Sequence, residues 1–559
     1  MYITNQYLES YVIKEDKGAN KMSSQTTVAK LMLQQLEMWG VKRIYGVVGD
    51  AIIGLMDELA KQDSIQFIAV KHESVAAMMA SAEAKLTGRL GVCLATMGPG
   101  LGNLLNGLGD AYLDKAPVLA ITGQAPTKKI GTDYKQYVNQ QELIKPLAEY
   151  TTLLAHPDAV TDLLVKAMST SLVKGAVTHL SIPKDFFAMN SKAKLQKEPK
   201  ILQSHPVPGE TEIKEVSEIM KTAKKPMILA GIGAKNAVNG IEEIANLWGA
   251  GILVSLGAKG AFNESFEKHL GGIGQGGNPH AKELFQQSDV VLLVGDLWWP
   301  EGYVPQNARI LQIDVAKENI GKGIPVELGI VGSAETVVPL LAKQLQNHSR
   351  NQEWVTKIHT IKNAWDQENE QEGVQSTQPL HPSRIVRAIE NTVNEDAILA
   401  LDTGDITVWF NRNFRTKNQQ VIFSGEWRTM GFGLPAALAA KLCYPEKQVV
   451  AIVGDGGIEM TLADLLTAVR YNLNITVVIF NNHALQMEKD KMIAGGNIPK
   501  DVALTNPDFV KIAEACSWKG YKIIDEKNLE STLREALSND GPSLVSVETA
   551  PIVHPETKG

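Results

Sequence analysis

The sequence predicts an α/β fold of three consecutive doubly wound parallel-sheet domains, and three observations carry that reading. Apolar runs of strand length end repeatedly in glycine turns and lead into stretches with helical periodicity. The 559 residues, 44% of them hydrophobic, are enough for about three or four domains. Two intervals break the rhythm: residues 189–210 are rich in Lys and Pro, and residues 346–382 are polar and poor in apolar side chains. These breaks set the expected boundaries: a flexible extension at 1–24 with Met22 as an alternative start, domains at 25–188, 211–345 and 383–559, and linkers between them.

Composition excludes several function classes. A net charge of −7 gives no basic field for nucleic acid. Cys93, Cys443 and Cys516 lie in or beside apolar runs without CxxC spacing, which points to a reduced, cytoplasmic setting and no cysteine metal site. No apolar run approaches the ~20 residues of a membrane helix. The first residues contain acids and lack the apolar centre of a signal peptide, and the chain stops at Gly559 soon after SLVSVETA, so no membrane partner is expected.

The elements follow in order. VAKLMLQQLEMWG is a helix ending at Gly40, RIYGVVGD a strand with a glycine turn at Gly49 and Asp50, and QFIAVKHES a strand running into a helix from Ala76 to Leu86. GRLGVCLATMGPG then repeats strand and glycine turn before a helix and the strand PVLAITGQ. In the central block KKPMILAGIGAKNA, GILVSLGAKGAF, SDVVLLVGDLWWP and ARILQIDVAKENIG are four strand-plus-turn units, an open parallel sheet whose turns face a nucleotide or serve structure alone. The third block opens with the helical HPSRIVRAIENTV and the strand AILALDTGD.

The most informative stretch runs from Lys447 to Asn482. Two buried strands end in Gly454-Asp455-Gly456-Gly457 and Asn481-Asn482, and Leu462, Leu465, Leu466 and Val469 between them have the spacing of one buried helix face. A right-handed crossover brings Asp455 and Asn482, 27 residues apart (455 to 482), to one sheet edge. A hard carboxylate oxygen, an amide oxygen and glycine N–H groups there suit a magnesium ion bound to a diphosphate. Alone each motif is an ordinary turn; the pairing is what is specific. A fainter echo, Gly98 to Gly123 against Gly454 to Asn481, suggests two related domains near opposite ends of the chain.

With its GDG, spacing and NN, the chain resembles the thiamine-diphosphate-dependent enzymes over about residues 26–550, pyruvate oxidases first and acetolactate synthases next. The resemblance implies magnesium held by Asp455, the Asn482 side chain and a main-chain carbonyl near Ala484. Gly454, Gly456, Gly457, Gly404 and Asp405 would contact the diphosphate, and Met430 of WRTMGFG would wedge beneath the cofactor. Glu73, in VKHESVAAMM, would bond the pyrimidine N1′ and so promote loss of the thiazolium C2 proton. Gly49 and Asp50 would be further cofactor contacts and Gln136 a catalytic residue. In the central domain Gly231, Gly233, Lys259, Asp314 and the stretch Trp298, Trp299, Pro300 resemble the FAD domain of pyruvate oxidases. The implied reaction is decarboxylation of pyruvate or a similar 2-oxo acid with electrons passing to flavin, giving acetyl phosphate or acetate, with phosphate and oxygen as further partners. The alternatives are carboligation and a cofactor-binding protein without catalysis. A homodimer is the implied minimum and a homotetramer the fuller expectation.

Departures from the family pattern cluster around the substrate. Lys135-Gln136-Tyr137 stands where Phe-Gln-Glu is usual, Gln486, Met487 and Lys491 replace a Gly-Phe pair and a later Glu, and Val48 replaces Pro. Together with Lys489 these changes suggest a more basic, more polar pocket, or lysines that simply point to solvent.

Overall fold

A computed structural model describes residues 26–199, 207–297, 299–300 and 302–554. The expected N-terminal extension, part of the first linker and Trp298 lie outside them. The described chain contains three six-stranded sheets, parallel throughout. Inner strands such as Val290–Val294 and Val118–Gln124 are buried along their whole length and rich in Val, Ile and Leu, as sheets covered on both faces require, while edge strands such as Lys519–Ile523 are partly exposed.

The first sheet runs, edge to edge, Gln66–Ala69, Arg43–Gly46, Gly91–Ala95, Val118–Gln124, Val177–Pro183, Tyr150–Leu153. The third runs Gln420–Ile422, Ile398–Leu401, Val449–Gly454, Thr476–Asn481, Ser543–Glu548, Lys519–Ile523. Numbered within each domain, both have the order 2-1-3-4-6-5, so the echo in the sequence corresponds to a shared topology. The central sheet differs: His269–Gly272, Gly251–Val254, Pro226–Ala230, Val290–Val294, Arg309–Asp314, Leu328–Val331, which is 3-2-1-4-5-6. In each sheet the strand order reverses between the first strand and its later neighbour, and a crevice opens beyond the carboxyl ends there.

The first and third domains share a core. Helices Glu73–Thr87 and Gly433–Cys443 pack together, and their alanines, Ala76, Ala77 and Ala80 with Ala436, Ala437 and Ala440, belong to one buried cluster. Side chains so small let two helices approach closely. Arg43 Nη1 donates to the Leu442 carbonyl at 3.1 Å and the Tyr444 hydroxyl to the Leu86 carbonyl at 3.0 Å, which ties the rims of this contact.

Two segments differ from the sequence reading. The crossover after Val449–Gly454 is not one amphipathic helix but three short pieces, Asp455–Glu459, Leu462–Asp464 and Leu465–Arg470, with Leu466 43% exposed. Asp464, at the junction of the last two pieces, accepts the Lys71 N–H of the first domain at 2.9 Å and the Thr467 hydroxyl at 2.7 Å. The second polar interval contains the 22-residue helix Gln352–Gly373, which buries Trp354, Val355, Ile358 and Trp365. Among the described residues no helix is long and apolar enough to cross a membrane.

Candidate active site

The crevice of the third sheet lies between the ends of Ile398–Leu401 and Val449–Gly454. Gly454 is level with Phe480 in the ladder, which sets Asp455 beside the Asn481-Asn482 turn. The Asp455 carboxylate is 3% exposed. Its Oδ1 accepts the Gly456 N–H at 2.9 Å, and its Oδ2 accepts the His483 N–H at 2.7 Å and the Asn506 amide at 2.8 Å. Asn482 Oδ1 accepts the Ala484 N–H at 3.1 Å, across a turn in which His483 has φ +57°. Asn506 also donates to Asn481 Oδ1 at 2.6 Å, bridging the two motifs.

Burial pushes the Asp455 carboxyl above its usual range, and among the described residues no Lys, Arg or His pairs with it. A buried carboxylate held only by neutral N–H donors fits a divalent cation, which supplies the missing charge. The glycines around it fall into two kinds. A Cβ on Gly457 would come 2.5 Å from Asp402 Oδ2, and one on Gly456 would press on Leu485, Leu504 and the Met430 tip at 3.0–3.2 Å, so both are needed for close packing. Gly454 and Gly404 instead border open space, and Gly404 has φ +146°, a conformation reserved for glycine. Two open glycines flanking a switch point suit a phosphate cradle.

Asp402, on the opposite rim, is fully buried and accepts the N–H groups of Thr403, Gly431 and Phe432 at 2.7, 3.2 and 3.2 Å. It thereby fixes the WRTMGF loop against the glycine turn, and Met430 Cε consequently stands over Gly456. Burial raises its carboxyl to about 7 against those donors. Asp405 is engaged within its own helix: its Oδ2 accepts the Trp409 indole N–H at 3.0 Å, and burial, with Asp490 nearby, raises it to about 7.

In the first domain Glu73 begins the helix Glu73–Thr87, where His72 caps by accepting the Ser74 N–H at 3.2 Å. Its carboxylate accepts the Asn103 amide at 3.0 Å. Gly49 abuts Thr96 at the switch point of that sheet, since a Cβ there would lie 2.5 Å from the Thr96 Cβ. Asp50 is exposed and paired with Lys184 at 3.0 Å. Gln136 has φ +61°, and its carbonyl would lie 2.4 Å from a Cβ on Gly98, so the loop bearing it rests on the Gly98-Pro99-Gly100 turn.

Comparison with known proteins agrees with this arrangement. Residues 26–143 match the family described as thiamine pyrophosphate enzyme, N-terminal TPP binding domain; residues 213–341 match its central domain; residues 402–547 match its C-terminal TPP binding domain. The chain belongs to the thiamine-pyrophosphate enzyme family. It is 36% identical over 93% of its length, and 91% of the relative's, to the putative thiamine pyrophosphate-containing protein YdaP of Bacillus subtilis. It is 31% identical to the pyruvate oxidase of Lactiplantibacillus plantarum, covering 94% of this chain and 88% of that one. It is 30% identical to the acetolactate synthase isozyme 3 large subunit of Escherichia coli, covering 91% and 92%.

In this thiamine-pyrophosphate enzyme the central sheet brings Gly231, Gly233 and Gly295 together at its own switch point. Gly233 N–H bonds the Gly295 carbonyl at 3.0 Å, and a Cβ on Gly233 would lie 2.8 Å from the Gly295 Cα. Beyond them Ile232, Leu297 and Val315 are 62%, 42% and 55% exposed, an apolar edge where strands end. Asp314 Oδ1 accepts the Ala316 N–H and the Asn319 amide, both at 2.9 Å. Lys259 points elsewhere: fully buried, it pairs with Glu264 at 2.5 Å and donates to the carbonyl of Phe414 in the third domain at 2.7 Å. Trp299 is buried against Phe285, with ring centroids 5.1 Å apart.

The departures separate likewise. Gln486 is buried and donates to Asp490 at 2.6 Å, while Lys491 pairs with Glu488 at 3.2 Å on the surface and Lys135 is exposed. Sequence reasoning missed Asn506, the side-chain role of Asp402, and Asn103. Asn506 stands in an ordinary-looking Asn-Pro-Asp turn, and nothing local marks it as the link between Asp455 and Asn481.

Proposed function

We propose that this enzyme decarboxylates pyruvate or a similar 2-oxo acid with thiamine diphosphate and Mg²⁺, and passes the electrons to FAD, releasing acetyl phosphate or acetate. The observation that carries the first half is the buried Asp455 carboxylate, joined through the His483 N–H and Asn506 to the Asn481-Asn482 turn and lacking a cationic partner among the described residues. Asp455, the Asn482 side chain and the Ala484 carbonyl would hold the ion, with the diphosphate between Gly404 and the Gly454-Gly456-Gly457 turn. Met430 would support the cofactor from beneath. Bound thiamine diphosphate supplies a nucleophilic carbon and an electron sink for decarboxylation. Glu73 would hold the proton at the pyrimidine N1′, and Gln136 would face the substrate.

Flavin is supported by the 3-2-1-4-5-6 order of the central sheet and by the exposed apolar edge of Ile232, Leu297 and Val315 beyond Gly231 and Gly233. Asp314 stands at the strand end suited to a ribose hydroxyl. Since Lys259 is committed to Glu264, a flavin bound here would be held without its ammonium. A cytoplasmic location is supported by three free cysteines, and a homodimer or homotetramer by family membership.

The purified protein should be yellow, with a flavin absorption spectrum, and should release carbon dioxide and peroxide from pyruvate when given thiamine diphosphate and Mg²⁺. Acetolactate without peroxide would instead favour carboligation, a reading supported by the likeness to acetolactate synthases. No carbon dioxide from any 2-oxo acid would leave a cofactor-binding protein.

A further inference from the structure

The helix Asp405–Asn413 starts at Gly404, one of the two open glycines of the crevice, and its first residue is an acid. A helix start beside an open glycine suits an anion, which an ionised carboxylate at the same place would repel. The surroundings of Asp405 remove the conflict. Its side chain is 9% exposed, and Oδ2 is satisfied by Trp409, whereas Oδ1 has no hydrogen-bond partner among the described residues. A second buried acid bears on it, Asp490 of the helix Gln486–Ala494. Asp490 Oδ1 accepts the Gln486 amide at 2.6 Å, and its Oδ2 and Gln486 Oε1 are likewise without partners among the described residues. Of the basic groups nearby, His554 Nε2 stands 4.0 Å from Asp405 Oδ1, beyond hydrogen-bond reach, and 3.2 Å from the Gln275 amide nitrogen. Lys489 acts on Asp490, and His381 meets the Trp409 ring with centroids 5.2 Å apart.

We propose that Asp405 meets the diphosphate as a neutral acid, its Oδ1 proton donated to a phosphate oxygen, and that Asp490 opposes loss of that proton. The proposal deepens the thiamine reading above and rests on it. Two interacting acids, both buried and neither paired with Lys or Arg among the described residues, are costly to ionise together. A protonated carboxyl supplies the donor an anion needs, whereas the ionised one offers acceptors only. The rise of the Asp405 carboxyl to about 7, caused by burial and by Asp490, agrees with this geometry. Diphosphate beside the acid then strengthens its hold on the proton, so binding above neutral pH must take a proton up.

The test is titration calorimetry of the full chain with thiamine diphosphate and Mg²⁺ between about pH 6 and pH 9, repeated in buffers of different ionisation enthalpy so that proton uptake is read directly. Near pH 8 the wild type should take up about one proton per cofactor bound, and Asp405→Asn about none. The free cofactor titrates identically in both, so the ratio of their affinities isolates the proton of the protein. Asp405→Asn keeps a donor and an acceptor and should bind within a few-fold of wild type near about pH 6, but about tenfold or more tightly near about pH 9. Asp490→Asn removes the like charge, so its loss of affinity should begin at lower pH than in wild type; it carries the test alone if Asp405→Asn does not fold. A purely structural role would change affinity by the same factor at every pH. An affinity ratio of Asp405→Asn to wild type that does not vary with pH, or equal proton uptake by the two, would overturn the proposal. A loss of affinity that begins at the wild-type pH in Asp490→Asn would overturn the part given to Asp490. A wild-type protein that binds no thiamine diphosphate at any pH would overturn the thiamine reading itself, and this proposal with it.

Discussion

Two carboxyl groups in opposite surroundings would carry the proposed chemistry at the scale of single residues. Asp455 is buried among neutral donors, where ionisation is costly until a cation arrives; Glu73 is partly exposed at a helix start and accepts the Asn103 amide. Glu73→Gln should lower turnover about 10²-fold or more while leaving the melting temperature and Mg²⁺-dependent cofactor binding intact; unchanged turnover would remove Glu73 from its role. Asp405 allows a pH test with a defined sign. An acid raised from 3.8 to about 7 stabilises the fold fully below pH 3.8 and loses that contribution as pH climbs to about 7. Asp405→Asn should therefore flatten the decline in melting temperature of the cofactor-free protein across that window. A curve parallel to wild type would contradict the burial of this carboxyl. Glu73 and Asp455 were both legible in the sequence because a short motif surrounds each. Asn103 and Asn506 were not, since their partners lie 30 and 51 residues away in the chain.

At the scale of elements, close approach of backbone to side chain decides which glycines matter. Gly457→Ala would drive a methyl group to 2.5 Å from Asp402 Oδ2, displacing either the glycine turn or the WRTMGF loop. A loss of about 1–3 kcal/mol is expected in denaturant unfolding, together with loss of cofactor binding; an unaltered midpoint would show that the turn has room. Strands were the most legible elements, because burial on both faces writes itself as continuous apolar runs. The helix Gln352–Gly373 was hidden by averaging: Trp354, Val355, Ile358, Ile361 and Trp365 are its apolar anchors, and their helical spacing is lost in a polar composition. Two guanidinium groups lie over the Trp365 ring, Arg412 at 5.0 Å and Arg415 at 4.9 Å from its centroid, a contact no periodicity announces. The crossover differed for the opposite reason, since an apparent helical stripe is divided between short pieces in which Leu465 is buried and Leu466 exposed.

At the scale of the whole molecule, polar contacts cross the domain boundaries beside the apolar core that the first and third domains share. The Lys259–Glu264 pair is sealed between the central and third domains, where burial alone would raise the Glu264 carboxyl but Lys259, His269 and Arg415 hold it at about 2. Lys259→Ala should cost about 3–5 kcal/mol of stability, because Glu264 is left buried without its nearest cation, and should leave any flavin spectrum in place; loss of flavin with unchanged stability would restore Lys259 as a cofactor ligand. The three-domain plan was legible because each domain repeats one strand-turn-helix rhythm. The joints between domains were not, because they depend on pairs such as Lys85 with the Phe423 carbonyl, or Tyr444 with Leu86, that only the assembled fold brings together. The arrangement as a whole turns on one claim, that Asp455 and the Asn481-Asn482 turn hold a divalent ion which in turn holds thiamine diphosphate. Cofactor titration by tryptophan fluorescence, with Mg²⁺ and after its removal by chelation, in wild type and Asp455→Ala, tests it most directly. Binding that requires Mg²⁺ and weakens about 100-fold or more in Asp455→Ala is the expected result. Equal affinity after chelation, or in the variant, would contradict it.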